Sequence, residues 1–372
     1  MSRKYLTRRD VAKGLGTAGL IGLAGCSTGD SGDSGDGGDN TTTSGGGTTT
    51  GGGGSDFRVG MVYTSAGLGD EGFNDSAQDG LQRAVEDFGI QLQEAEPSDS
   101  SQYSTFLRQY ASGDYDLVCG LSFEMNTAMQ QVASDFPDQP FTIVDTAVDL
   151  ENVASYLFRE HEGCYLVGKA AGLLTQQEFS AGAGKTNTTT SVGFLGGKRN
   201  PVIEKFHAGY EAGIKSFETS IDFKTAYAGS WTQPSKGKSI AESMYNDGVD
   251  IVFPAAGGTG LGVFQAAQED GRFAFGVDKP QSVATPKYAD VILGSMVKRV
   301  GNMFYRSVEN TMNGNHRGGQ TQTFGVEREG VNLVWGEELG DDIPQDVKDA
   351  VSQARQGIIN GDISVPSQTY DN

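Results

Sequence analysis

The chain is poor in cysteine, histidine and positive charge. Only 3 cysteines and 3 histidines occur among 372 residues. Cys119 lies inside the apolar run "YDLVCGLSF" and Cys164 inside a helical pattern, so both read as buried thiols, not a redox pair or metal ligands. His161, His207 and His316 are scattered and lack metal-ligand spacing, so no metal site is expected. Basic residues number 28 against 48 acidic ones, a formal charge of -20. That balance leaves no basic face of the kind nucleic acid requires.

A phosphate-binding loop is also missing, although one stretch invites the idea. "VDIVFPAAGGTGLGVFQAAQEDG" runs from an apolar strand through glycines into a helical pattern. A P-loop needs Lys and then Ser or Thr after its last glycine, but Gly262 is followed by Val263 and Phe264. Gly257, Gly258, Gly260 and Gly262 also miss the G-x-G-x-x-G spacing of a dinucleotide site. What remains is a helix N-terminus with free N–H groups and little side-chain bulk, able to hold sugar hydroxyls. A close-packed strand-to-helix turn explains the same glycines.

What the chain does have begins with an address. "LTRRDVAKGLGTAGLIGLAGC" carries paired Arg8 and Arg9, a mildly apolar stretch, then Leu23-Ala24-Gly25-Cys26. Twin arginines before a short apolar region point to Tat export. The stretch is too short and glycine-rich to span a bilayer, which takes about 20 apolar residues. The L-A-G-C run resembles a lipobox, so residues 1–26 read as a signal peptide and Cys26 as the lipidated anchor at the outer face of the cell membrane. Residues 27–55 hold only Gly, Ser, Thr, Asp and Asn, a disordered tether without core-forming side chains. Without residues 1–25 the formal charge becomes -24, because they hold five basic residues and one acidic. Acidity spread along a chain with few lysines suits a high-salt habitat, where self-repulsion is screened.

Roughly 315 residues follow the tether, more than one core usually holds, so two lobes are expected. Strand-like runs such as "FRVGMVYT", "YDLVCGLS", "PFTIVDT", "SVGFLGG", "VDIVFPAAG" and "FAFGVD" alternate with helical patterns. That alternation predicts an α/β fold with parallel sheets covered by helices on both faces. The boundaries read as 56–160 for a first lobe, with 280–318 returning to it, and 161–279 for a second, with 319–372 returning to it.

Ligands of open α/β sheets bind beyond the carboxyl ends of the strands. The residues placed there are Asp70, Phe73 and Asn74 after the first strand and Phe123 after the third. Asp145, Gly257, Gly258, Asp278 and Lys298 follow later strands, and Phe206 lies on a neighbouring helix pattern. Aromatics, carboxylates, an amine and free backbone N–H groups suit a flat base joined to a polyhydroxylated sugar. Plainer readings stand beside these: Asp70 as a helix cap, Phe73 and Phe206 as core, Lys298 as a solvated face. Asp278 precedes Lys279-Pro280, which disfavours helix, so it is expected near the cleft surface with its side chain free.

"GDEGFND", "VGFLGGKRNPVIEKFHAGYEAG", "VFPAAGGTGLGVFQAA", "FGVD" and "ILGSMVKRV" resemble the motifs of the basic membrane protein (BMP) family, with its PnrA-like purine nucleoside receptors of ABC importers. The resemblance covers about residues 57–335. It implies a type I periplasmic binding protein fold, two hinged Rossmann-like lobes with the ligand between them. It further implies base stacking by Phe73 and Phe206, with Asn74 polar to the base and Asp145 receiving a base N–H. Gly258, Asp278 and Lys298 would hold ribose hydroxyls. The implied partners are a purine nucleoside, ABC permease subunits and the membrane, for a monomer without cofactor or catalytic residue. The chain departs from the family where Gly72 and Asp75 flank Phe73-Asn74, and where Lys279-Pro280 follow the "GVD" turn. A nucleoside hydrolase or phosphorylase would need a clustered-Asp cation site or an Arg/His phosphate pocket, and neither is legible. A surface sensor or adhesin of the same fold, or a receptor for another polar solute such as a sugar, remains open.

Overall fold

The computed structural model describes residues 55–217 and 220–368. The stretch read as a signal sequence, Cys26 and nearly all of the stretch read as a tether lie outside these residues.

The alternating pattern builds two sheets. In the first part of the chain β1 (Arg58–Val62), β2 (Gln91–Ala95), β3 (Leu117–Leu121), β4 (Phe141–Val144) and β5 (Val153–Phe158) alternate with α1 (Phe73–Phe88), α2 (Tyr103–Ala111) and α3 (Asn126–Asp135). α4 (Glu160–Thr175) leads to a short hairpin, β6 (Ser180–Ala181) and β7 (Gly184–Lys185). Then come β8 (Ser191–Gly196), α5 (Pro201–Ile214), β9 (Asp222–Tyr227), α6 (Pro234–Asn246), β10 (Ile251–Ala255), α7 (Leu261–Asp270) and β11 (Phe273–Asp278). The tail holds α8 (Gln281–Ala284), β12 (Ile292–Lys298), α9 (Val300–Met312), β13 (Thr321–Phe324), β14 (Val331–Trp335) and α10 (Gln345–Asn360).

The first sheet has the order β13-β5-β4-β3-β1-β2 and the second β14-β12-β11-β10-β8-β9. Each contains the doubly wound order 2-1-3-4-5, with a sixth strand supplied by the tail. Within these two sheets all pairs are parallel except β12 with β14. Central strands β3, β10, β11 and β12 are buried at every residue, as sheets covered on both faces demand. One apolar cluster lies under α2 and α3, another under α6 and α7, and a third runs through both lobes.

The chain crosses between lobes three times. β5 passes into α4, which packs on α5, β12 and β14. β12 passes into α9, which packs on α1, β3 and β4. β13 then pairs with β5 before β14 pairs with β12. This corrects the boundaries read for the tail. Residues 280–298 stay with the second lobe, because the apolar β12 needs burial on both faces and finds it between β11 and β14. Only the stretch from α9 to β13, reaching 324, returns to the first lobe, so residues 319–324 belong with it and not with the second lobe as the sequence suggests.

Helix crossings are set by glycine. A Cβ at Gly80 of α1 would stand 2.0 Å from Gly301 O of α9, and one at Gly168 of α4 would stand 2.1 Å from Tyr210 O of α5. These backbones touch, and any side chain would push the helices apart.

Candidate functional site: a cleft between two lobes

The carboxyl ends of both sheets face one cavity of about 80 Å³. Asp70, Phe73, Asn74, Phe123 and Asp145 line it from the first lobe, and Phe206, Gly257, Asp278 and Lys298 line the rest. Gly258 stands just outside the lining. A Cβ there would lie 3.4 Å from Trp231 O and 4.0 Å from Asp70 Cα, so it marks a close approach of the two lobes.

Several strand ends turn in an unusual way. Asp145 follows β4 with φ 71°, Ser122 follows β3 with φ 88°, and Asp278 closes β11 with φ 63°. A non-glycine residue held there costs on the order of 1–3 kcal/mol, and such residues gather at ligand sites. At Asp278 the Lys279 N–H donates to Val277 O at 2.7 Å, closing a three-residue turn. The next helix starts after Pro280, so Asp278 caps nothing. It is nevertheless only 8% exposed, not at the cleft surface as expected from the sequence.

The plainer reading holds for Asp70. Its Oδ1 accepts from Gly72 N at 3.0 Å, and its Oδ2 accepts from Asn74 N at 3.0 Å, fastening the start of α1. Asn74 is committed as well: its Oδ1 accepts from Thr64 N at 3.1 Å and Thr64 Oγ1 at 3.0 Å, while its Nδ2 donates to Asp70 Oδ2. One amide hydrogen of Asn74 remains for a ligand. The glycine loop divides in two. Gly260 and Gly262 serve packing, since a Cβ at Gly262 would lie 1.9 Å from Pro234 O of α6. Gly257, at φ 55°, faces the cavity.

Lys298 is no solvated face; it is 1% exposed. Its Nζ stands 2.5 Å from Asp145 Oδ2 and 3.0 Å from Glu160 Oε1. The ammonium also lies 4.9 Å from the Phe73 ring centroid, 5.1 Å from Phe158 and 5.7 Å from Phe206. Burial works to lower the pKa of Lys298, but Asp145, Glu160 and Asp278 overcome it and hold the amine firmly protonated. Burial likewise raises Glu160, yet Lys298 and Lys205 outweigh it and keep it ionised; Lys205 Nζ is 3.2 Å from Glu160 Oε2. Asp145 is pushed up by burial against the pull of Lys298. Asp278 is pushed up to about 7, mainly by burial, with Asp70, Asp145 and Glu160 adding to it and Lys298 opposing.

One atom stands out. Asp145 Oδ1 is buried and finds no hydrogen-bond partner. A buried carboxylate oxygen without a donor costs about 1–3 kcal/mol, so this acceptor is suited to a ligand N–H.

The sequence reading does not find several residues at the site: Thr64, Ser122, Glu124, Asn200 and Trp231 line the cavity, and Glu160 stands behind Lys298. Glu160, at the first crossing, carried no local signal of the two lysines it meets. Trp231 lines the cavity beyond the carboxyl end of β9, where the strand-end rule would have found it. A Cβ at Gly197 would lie 2.2 Å from Trp231 Cζ3, so glycine there admits the indole. Among the described residues, no group of three or more His, Cys, Asp or Glu is arranged to hold a metal. Cys119 and Cys164 are both buried and free. No described helix is long and apolar enough to cross a membrane.

Two doubly wound lobes joined by three crossings, with the carboxyl ends of their central parallel strands facing one polar and aromatic cleft, define the class of two-lobed solute-binding proteins. The family model described as ABC transporter substrate-binding protein, PnrA-like, matches residues 57–369, and the chain belongs to this Bmp family. Similar proteins include the CD4+ T-cell-stimulating antigen of Listeria monocytogenes, 34% identical over 335 residues, covering 84% of this chain and 89% of that one. The ABC transporter nucleoside-binding protein BmpA of Lactococcus lactis is 32% identical, covering 84% and 90%. A solved ABC transporter solute-binding protein from Aeropyrum pernix matches with TM-score 0.74 at 27% identity, covering 85% of this chain and 94% of that one.

Proposed function

We propose that the chain is the extracellular, lipid-anchored receptor of an ABC importer, capturing purine nucleosides between its lobes and passing them to the permease. The observation that carries this reading is Asp145 Oδ1, an unpartnered buried acceptor beside aromatic rings. A purine ring offers N–H donors at its edge and a face for Phe73, Phe206 or Trp231. Asp278, Lys298 and the backbone at Gly257–Gly258 are suited to ribose hydroxyls at the other end. A phosphate is disfavoured, because four carboxylates crowd the site and its one buried amine already serves two of them. The printed name of the Lactococcus relative, a nucleoside-binding protein, points the same way.

Calorimetry in multimolar KCl against guanosine, inosine, adenosine, their free bases and ribose tests the ligand. Nucleosides should bind with Kd about 1 μM or tighter, roughly -8 kcal/mol. Binding of a simple sugar with failure of all three nucleosides would overturn the assignment. For the anchor, Cys26→Ala should move the folded chain from membrane to soluble fractions. A variant that stays with the membrane would point to an uncleaved apolar segment instead.

A further inference from the structure

A second pocket, of about 360 Å³, opens at the β13 edge of the first lobe and shares no lining residue with the cleft. Arg306 and Asn310 reach it from α9, Arg317 and Gln320 from the loop before β13, and Gln322 from β13 itself. Tyr156 of β5 lies among them, 2% exposed, and its hydroxyl makes no hydrogen bond of good geometry, with only Ser307 and Asn310 close enough to contribute one. The charge of Arg317 reaches that hydroxyl. No carboxylate lines the pocket. Neither arginine forms an ion pair among the described residues, in a chain holding 48 acidic residues.

The loop that presents Arg317 is held in place. His316 bridges Thr311 Oγ1 and Asn152 O at 3.1 Å each. Gly319 N donates to Val153 O at 3.0 Å, and Ser155 N to Gln320 O at 3.0 Å. The backbone that carries Arg317 and Gln320 is therefore fixed, while the side chains of Arg306, Arg317 and Gln320 are exposed at the pocket rim.

We propose that this pocket binds a small oxyanion of the phosphate class. Two guanidiniums offer planar, charge-assisted donor pairs that match such an anion. The three amides can each turn an N–H inward, and the Tyr156 hydroxyl, which makes no well-formed bond within the protein, can donate as well. The volume leaves room for an anion with part of its hydration shell.

The test is equilibrium titration of the full chain with inorganic phosphate at fixed ionic strength, with chloride as the balancing anion. Saturable binding is expected. Arg306→Gln and Arg317→Gln should each weaken it at least about tenfold, and Tyr156→Phe about threefold, since charged hydrogen bonds outweigh neutral ones. The phosphate-free unfolding midpoint of the two arginine variants should not move. The proposal is overturned if phosphate at about 10 mM gives no saturable signal. It is equally overturned if the Arg306→Gln/Arg317→Gln double variant keeps its affinity, or if chloride displaces phosphate on an equal footing.

Discussion

Asp145 and Asp278 hold equivalent places in the two lobes. One follows β4 and the other closes β11, the corresponding strands of the two sheet orders, and both have left-handed backbone, at φ 71° and 63°. A carboxylate turned into the cleft thus comes from each half by the same local device. The strain is tolerated because asparagine and aspartate visit this region more readily than other side chains. Glycine in place of either aspartate should leave the protein about 1 kcal/mol more stable than alanine does, since only alanine keeps the Cβ penalty. Urea unfolding of the Asp145→Gly and Asp145→Ala pair, and of the same pair at 278, reads the difference. Equal midpoints within each pair would contradict the strained geometry.

The environment of Asp278 makes a statement about pH. Burial chiefly, and the surrounding carboxylates after it, push its folded-state pKa to about 7 from an ordinary 3.8. Ionisation is therefore disfavoured by folding. Its contribution to stability is complete below about pH 4, is lost as pH rises toward 7, and stays lost above that. At about 1.4 kcal/mol per pH unit, the loss is on the order of 4 kcal/mol. Asp278→Asn removes the titration while keeping shape and tolerance of positive φ. The ligand-free variant should thus be more stable than the parent at pH 8 and indistinguishable from it near pH 4. A variant less stable than the parent at pH 8 would show the carboxylate to be stabilising in the empty cleft.

Lys298 is the counter-charge of two buried carboxylates at once, Asp145 and Glu160. Lys298→Met should destabilise the fold by about 3–5 kcal/mol, because removing one member of a buried pair strands the other. The loss should shrink in a Glu160→Gln background, where one stranded charge is already gone; contacting residues give such non-additive cycles. Additive losses would mean that Glu160 rests on Lys205 alone. Since Lys298 ends β12 and Glu160 opens α4, this cluster also ties the first two crossings together.

How much of this was legible in the sequence follows from which facts are local. Each strand-helix repeat carries its own apolar period, so the α/β architecture and the strand-end aspartates could be read directly. The lobe of β12 could not: "VILGSMVK" fits either sheet, and only pairing with β11 and β14 decides it. The commitment of Asp70 and Asn74 to the start of α1 was equally hidden, because "GDEGFND" serves a cap and a binding loop alike until the backbone turns are known. Glu160 lies beyond local reading altogether. Its partners come from 45 and 138 residues downstream, Lys205 and Lys298, and no periodicity announces them.

The lobes are also held together at the mouth of the cleft. Gln281 of α8 donates from Nε2 to Glu71 O of the first lobe at 2.8 Å. Its own Oε1 accepts from Val277 N at 2.8 Å, and its N–H donates to Ser295 Oγ at 3.0 Å, so the side chain is fixed before it reaches across. Nearby, Lys279 Nζ lies 2.7 Å from Asp79 Oδ2 of α1, an outer pair that salt will screen. The uncharged, half-buried bond should therefore govern closure in strong salt. Gln281→Ala removes the Val277 bond from open and closed forms alike, and from the closed form alone it removes the one neutral bond to Glu71, about 0.5–1.5 kcal/mol. Ligand affinity should fall about three- to tenfold, because a receptor that closes less often pays that fraction in apparent Kd. The fall should reside in a faster off-rate, with on-rate little changed, as closure follows encounter. Lys279→Ala should match it only at low ionic strength. Stopped-flow rates for both variants across a KCl series separate the two contacts. An unchanged off-rate in Gln281→Ala would show that this bond does not hold the cleft shut.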